Sequence, residues 1–198
     1  MDKPHLLPYL IIVSGFSGTG KTTFARRLSD RFALPLISKD MIKEELADVL
    51  GCPDLSASVQ LGRASMALVY RFTEAVLRTH HSCIIESVFH PEFAAQDFAN
   101  LQERCPFLPL QIHCRAELST IVERWKQRLE SGERHACHMD EVRIPDLLHR
   151  LEQEQSQPVL ELTPLIRGHL IELDTTNFET IDYALLFSQI RNILSASG

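Results

Sequence analysis

One stretch constrains this chain more than any other. Residues Gly15 to Thr22 read Gly-Phe-Ser-Gly-Thr-Gly-Lys-Thr and satisfy G-x-x-x-x-G-K-[ST] at every fixed position. An apolar, β-branched run, Tyr9 to Val13, comes immediately before, as a buried parallel strand would. A helical pattern comes after, with Phe24, Ala25, Leu28 and Phe32 on one stripe. Strand, glycine-rich turn and helix are the setting in which this motif wraps a phosphate. Glycines let backbone N–H groups turn inward, and the helix aims its positive end at the same anion. The motif therefore predicts a nucleoside triphosphate site for ATP with Mg²⁺, built from Gly15, Ser17, Gly18, Thr19, Gly20, Lys21, Thr22 and Thr23. Lys21 is expected to reach the β- and γ-phosphates, Thr22 to ligate Mg²⁺, and Thr23 to donate to the α-phosphate.

The rest of the chain alternates. Strands are expected at 9–13, 34–38, 82–86, 108–113 and 169–173, and helices at 22–32, 41–50, 58–79, 91–104, 118–130, 141–155 and 178–194. Alternation of this kind implies an α/β fold with a parallel sheet covered on both faces. On the long helix Val59, Ala67, Val69, Phe72, Val76 and Leu77 are the core candidates. Residues 1–8 read as a tail and 131–138, rich in His, Arg and Gly/Ser, as a mobile loop. A length of 198 residues fits a single domain. Five scattered cysteines with no CxxC pair point to reduced thiols. The apolar run at 9–13 is too short to cross a membrane, and no secretory leader precedes it. These features predict a soluble, cytoplasmic protein, monomer or homodimer. A formal net charge of −6 weighs against non-specific nucleic-acid binding.

A phosphate loop does not name a reaction. No Asn-Lys-x-Asp motif suggests a GTPase, and 198 residues leave little room for the second domain of a ring ATPase. Asp40 lies at the carboxyl end of the second expected strand, the sheet edge that also carries the loop. There it could take or orient the proton of a hydroxyl attacking the γ-phosphate, and it could also cap the following helix. Glu86 ends the third strand, where a carboxylate could hold Mg²⁺ through water or bind the acceptor; His90 is a further acceptor-side candidate. Arg124 and Arg128 are four residues apart, on one helical face, and could clamp the γ-phosphate. Cys137 and the nearby histidines have poor metal-site spacing.

Taken together, these segments resemble the adenylate-kinase-like P-loop kinases. The resemblance is to the AAA-type branch of small ATP-binding kinases, with polynucleotide 5′-kinases, zeta-toxin-type kinases and chloramphenicol-type phosphotransferases. It covers about residues 9–180 and rests on GFSGTGKTT (15–23), LISKDMIKEEL (36–46), CIIESVF (83–89), ERWKQR (123–128), ERHACH (133–138) and LIELDTT (170–176). It implies a five-stranded sheet of order 2-3-1-4-5 and a hinged lid at about 124–140. It implies that Asp40 activates the acceptor, that Lys43 touches it, that Arg124 and Arg128 are lid arginines, and that Thr175 passes near the adenine. Glu86 stands where aspartate is more usual, Lys43 where arginine is, and Ala136-Cys137 where a proline-glycine pair is frequent. The expected activity is ATP-dependent phosphoryl transfer to a hydroxyl of a small molecule or nucleotide. A polynucleotide 5′-hydroxyl and a non-catalytic ATP sensor or toxin-like effector are the alternatives.

Overall fold

Tyr9 to Val13 lacks polar alternation because both faces of that strand are covered. In the computed structural model, which describes residues 7–132, 134–154 and 164–195, Ile11 and Val13 pack into one apolar layer with Phe24, Leu28 and Phe187. Leu10 and Ile12 pack into the opposite layer with Val69, Phe98 and Leu101. The strand, β1 (Tyr9–Gly15), is the centre of a sheet that also holds β2 (Leu36–Ser38), β3 (Cys83–Glu86), β4 (Leu108–Arg115) and β5 (His169–Asp174). The strand order is β2-β3-β1-β4-β5 and every pairing is parallel.

Parallel strands need crossovers, and helices supply them. They are α1 (Lys21–Phe32), α2 (Lys39–Leu50), α3 (Leu55–Leu77), α4 (Pro91–Arg104), α5 (Leu118–Ser131), α6 (Asp140–Glu154) and α7 (Tyr183–Ser195). α1 and α7 cover one face and α3 and α4 the other. α5 and α6 enclose a separate apolar cluster around Trp125, Ile121 and Ile144, against which Phe16 of the phosphate loop packs. This is the P-loop NTPase arrangement with a helical lid. Register brings the strand ends to one edge: Val13 and Ser38 both pair with Glu86, and Gly15 pairs with Cys114. Among the described residues no helix is long and apolar enough to cross a membrane.

Three local expectations are corrected. On α3, Val59, Ala67 and Phe72 are exposed, whereas Ser58, Leu61, Ser65, Val69, Thr73 and Leu77 are buried. Small hydroxyl residues can sit on a buried helix face because their Oγ atoms bond back to carbonyls one turn earlier: Ser65 to Leu61 at 2.6 Å and Thr73 to Val69 at 2.7 Å. The last helix begins at Tyr183, not 178, because Asp182 caps it through the Leu185 N–H at 2.9 Å. Phe178–Thr180 forms a separate 3₁₀ turn. Asp40 is not a cap: Ser38 occupies that position and Asp40 lies inside the first turn. Residues 1–6 of the expected tail and Gln155 of the expected helix lie outside the described residues.

Phe98 is fully buried between the Tyr70 and Phe89 rings, with centroids 5.6 and 5.4 Å away. Phe98→Ala is expected to lower unfolding free energy by about 3–5 kcal/mol, read from the urea midpoint at unchanged m-value.

Candidate functional site

The site begins where β1 can no longer carry a side chain. Gly15 has φ 137°, and a Cβ there would lie 2.2 Å from the Cys114 carbonyl oxygen. Gly20, at φ 75°, is the residue from which α1 starts, and a Cβ there would meet the Phe178 ring at 2.3 Å. Between them the Phe16 carbonyl gathers the turn, accepting from Thr19 N at 3.3 Å, Thr19 Oγ1 at 2.8 Å and Lys21 Nζ at 2.7 Å. No side chain caps α1 and no acidic residue stands in its first turn. A helix start with free N–H groups, a positive dipole end and a buried lysine fits a polyphosphate. Burial pulls the Lys21 pKa down, opposed by the charges of Glu86 and Asp40.

The loop opens onto a cavity of about 760 Å³. Ser17, Gly18, Gly20, Lys21, Thr22 and Thr23 line it on one side. Asp40, Lys43, Glu86, His90 and Arg128 face the same space from four different elements or their ends. Gly15 and Thr19 do not line it; Thr19 is fully buried, its hydroxyl spent on the loop itself.

Glu86 is buried and its Oε2 accepts from Ser38 Oγ at 2.8 Å, so its partner is a hydroxyl rather than Lys39 or Lys43. With Thr22 it offers oxygen donors beside the loop, the donor type that suits Mg²⁺. Asp40 is held by Lys39 Nζ at 3.3 Å on Oδ1 and by Arg134 at 3.0 Å on Oδ2. Burial works against its charge, but Lys39, His138 and Arg134 outweigh that and bring its carboxyl down to about 2. Lys43 is buried and donates to Ser58 Oγ at 2.8 Å and the Cys137 carbonyl at 2.9 Å.

The two arginines expected to form one clamp are separated. Arg128 lines the cavity. Arg124 does not: its guanidinium donates to the Gly18 carbonyl at 3.0 Å and the Thr175 carbonyl at 2.7 Å, and lies 5.2 Å over the Phe178 ring. Thr175 is fully buried, with Oγ1 at 2.6 Å from the Thr19 carbonyl and 2.7 Å from that of Arg115. Both residues brace the loop against the ends of β4 and β5.

The segment expected to be a mobile loop is docked on α2. Asp40, Glu44 and Asp48 recur every four residues along that helix, and each meets a basic group of the lid. Arg134 reaches Asp40; His138 reaches Glu44 at 2.7 Å and His135 reaches Asp48 at 3.0 Å. Glu133 lies outside the described residues. Arg134 also meets Asp140 at 3.2 Å, which ties the lid to the start of α6. Sequence reasoning missed Tyr70, Asp97, Arg63 and Trp125 as wall residues. No local signal marks them, because each sits mid-helix in a pattern that also suits an ordinary packed or solvated face.

A family model described as AAA domain matches residues 10–154. A solved structure of a protein described as a candidate kinase from Chloroflexus aurantiacus is 35% identical, covers 94% of this chain and 98% of that one, and superposes with a TM-score of 0.85. The unliganded structure of a sugar kinase from a Janibacter species is 19% identical over 94% of this chain and 97% of that one, with a TM-score of 0.53, a likeness of fold. No curated protein sequence matches the chain.

The docked lid carries a pH signature. Burial, and then Arg134, push the His138 pKa below its ordinary value, against the pull of Asp40 and Glu44; Lys43 adds a small further push down. The docked state therefore binds fewer protons than the free segment, and docking weakens as pH falls from the ordinary histidine range toward the depressed value. Hydrogen exchange at the Cys137 and Met139 amides, corrected for intrinsic rates, is expected to accelerate below about pH 6.5 in the wild type. In His138→Asn that acceleration is expected to be smaller.

Proposed function

The chain belongs to the AAA domain family, and we propose that it is an ATP-dependent kinase that transfers the γ-phosphoryl group to a hydroxyl of a small molecule or nucleotide. The observation that carries this reading is Asp40, an ionised carboxylate facing the same cavity as Lys21 of the phosphate loop. A triphosphate-binding protein that only senses its ligand has no use for an acceptor-sized space walled by such a carboxylate.

The loop backbone from Ser17 to Thr22 and the Lys21 ammonium would hold the polyphosphate, the Thr22 hydroxyl would ligate Mg²⁺, and Glu86 would reach the metal through water. Bound ATP with Mg²⁺ supplies the phosphoryl group and a diphosphate leaving group. Asp40 accepts a hydrogen bond from the acceptor hydroxyl and aims its oxygen at the loop. A carboxyl held at about 2 is a weak base, so orientation is its main contribution, which is what a loose phosphoryl-transfer transition state asks for. Arg128 places positive charge where negative charge spreads during transfer, and Arg134 holds the Asp40 carboxylate in place. Arg124 and Thr175 act through the loop, as positioning residues. Lys43 and His90 belong to the acceptor side.

Asp40→Asn is expected to lower kcat by about 10²–10⁴ while nucleotide affinity stays within a few-fold. Wild-type turnover in that variant would remove Asp40 from the mechanism. Lys21→Ala is expected to weaken nucleotide binding and transfer together, and unchanged affinity by calorimetry would contradict the loop assignment. Because the Asp40 carboxyl is depressed to about 2, it stays ionised throughout the neutral range. The acid limb of kcat/KM is therefore expected to show no step at the ordinary aspartate pKa near 4.

A further inference from the structure

The charge on the cavity wall is opposite to that of the chain. Seven lysine and arginine side chains line it against four carboxylates, an excess of three positive charges, in a chain of formal net charge −6. The triphosphate accounts for Lys21 and Arg128, and Arg134 is spent on Asp40 and Asp140. Four cations remain: Lys39 and Lys43 on α2, Arg63 on α3 and Arg143 on α6. They serve no group on the loop.

Among the described residues only Lys39 of the four meets a carboxylate, Asp40 at 3.3 Å, and it shares that carboxylate with Arg134. Lys43 is buried, and its pKa falls through burial first and then through the positive charges of Lys39 and Arg143. Like charges are therefore crowded on this side. Asp40 already serves both Lys39 and Arg134. Asp97 lies against the Tyr70 hydroxyl, whose pKa burial and that carboxylate together push up. Among the described residues neither Arg63 nor Arg143 has a carboxylate partner. Lys39 lies against the backbone of α3: a Cβ on Gly62 would be in ordinary contact, at 3.9 Å, with both its Cε and its Nζ. The ammonium is thus placed beside Gly62, whose chain neighbour is Arg63.

With Lys21 and Arg128 taken by the triphosphate, five cations still face four carboxylates; a neutral polyol would leave that remaining positive charge uncompensated, whereas an anion would turn it into binding free energy. A cavity of about 760 Å³ has the scale of a small-molecule site. We propose, resting on the kinase reading, that the phosphoryl acceptor is a small hydroxyl compound carrying an anionic group of its own, a carboxylate or a phosphate. Lys39 and Arg63 bind that group across Gly62, and the reacting hydroxyl lies at Asp40.

The test reads binding rather than turnover. The full chain is loaded with AMP-PNP and Mg²⁺, so that the phosphate loop is filled, and the Gly62 amide is followed by NMR while glucose, gluconate, glucose 6-phosphate or a single-stranded oligonucleotide is added. At least one of the two anionic sugars is expected to give saturable shifts at Gly62, at least tenfold tighter than glucose. Which of them binds tighter separates carboxylate from phosphate. Arg63→Gln is expected to weaken that binding at least fivefold. Arg71→Gln, on the same helix but outside the cavity, is expected to leave it unchanged. Equal affinity for glucose, no saturable shift from either anionic sugar, tighter binding of the oligonucleotide, or an indifferent Arg63→Gln would each overturn the inference. Failure of the kinase reading looks different: selective anion binding that persists, with no phosphate transferred from ATP to any compound.

Discussion

A single contact sets the geometry of everything at the sheet edge. Gly15 leaves β1 so close to β4 that any Cβ would overlap the Cys114 carbonyl. Only a glycine can turn the chain back there, at φ 137°. From that turn the loop folds onto the Phe16 carbonyl, and α1 starts at Gly20 with its N–H groups uncapped. The direction of the helix dipole, the placement of Lys21 and the side on which a phosphate is received all follow from it.

The loop is not self-supporting. Arg124 and Thr175 hold the backbone of Gly18 and Thr19 from the outside, and Trp125 packs its ring against Gly18 and Phe16. All of these braces come from α5 or from the end of β5, which the lid follows or faces. Phosphate loop and lid helix are therefore one packed unit, and the lid reaches α2 through a second set of contacts. That set is the ladder from Asp40 to Asp48 on α2. Its pairs are mostly half-exposed and individually worth only about 0–1 kcal/mol. The segment is therefore held by several weak contacts, none of which dominates.

The legible part of the site was the part written in consecutive residues. Strand, loop and α1 lie within the first 32 residues, and their order and their turn follow from local pattern. Asp40 and Glu86 were legible for a different reason. In a parallel sheet all strands share a polarity, so strand ends meet at one edge even when nearly fifty residues separate them. The helix surfaces were less legible. Arg124 and Arg128 look equivalent at a spacing of four, yet one faces the loop backbone and the other the cavity. The buried stripe of α3 runs through Ser58, Ser65 and Thr73, which hydropathy alone places in water.

The sequence by itself determined the parallel α/β architecture and the phosphate loop, because strand periodicity and glycine conformations are local properties. It also determined that carboxylates stand opposite that loop, because strand polarity is a property of the whole sheet. Only the tertiary structure decided which helical side chains brace and which line the cavity. It alone paired the acids of α2 with the lid and gathered an excess of positive charge in an acidic chain. Those outcomes depend on how helices rotate and dock, and rotation by a fraction of a turn moves a residue from water to wall without changing the pattern that specified the helix.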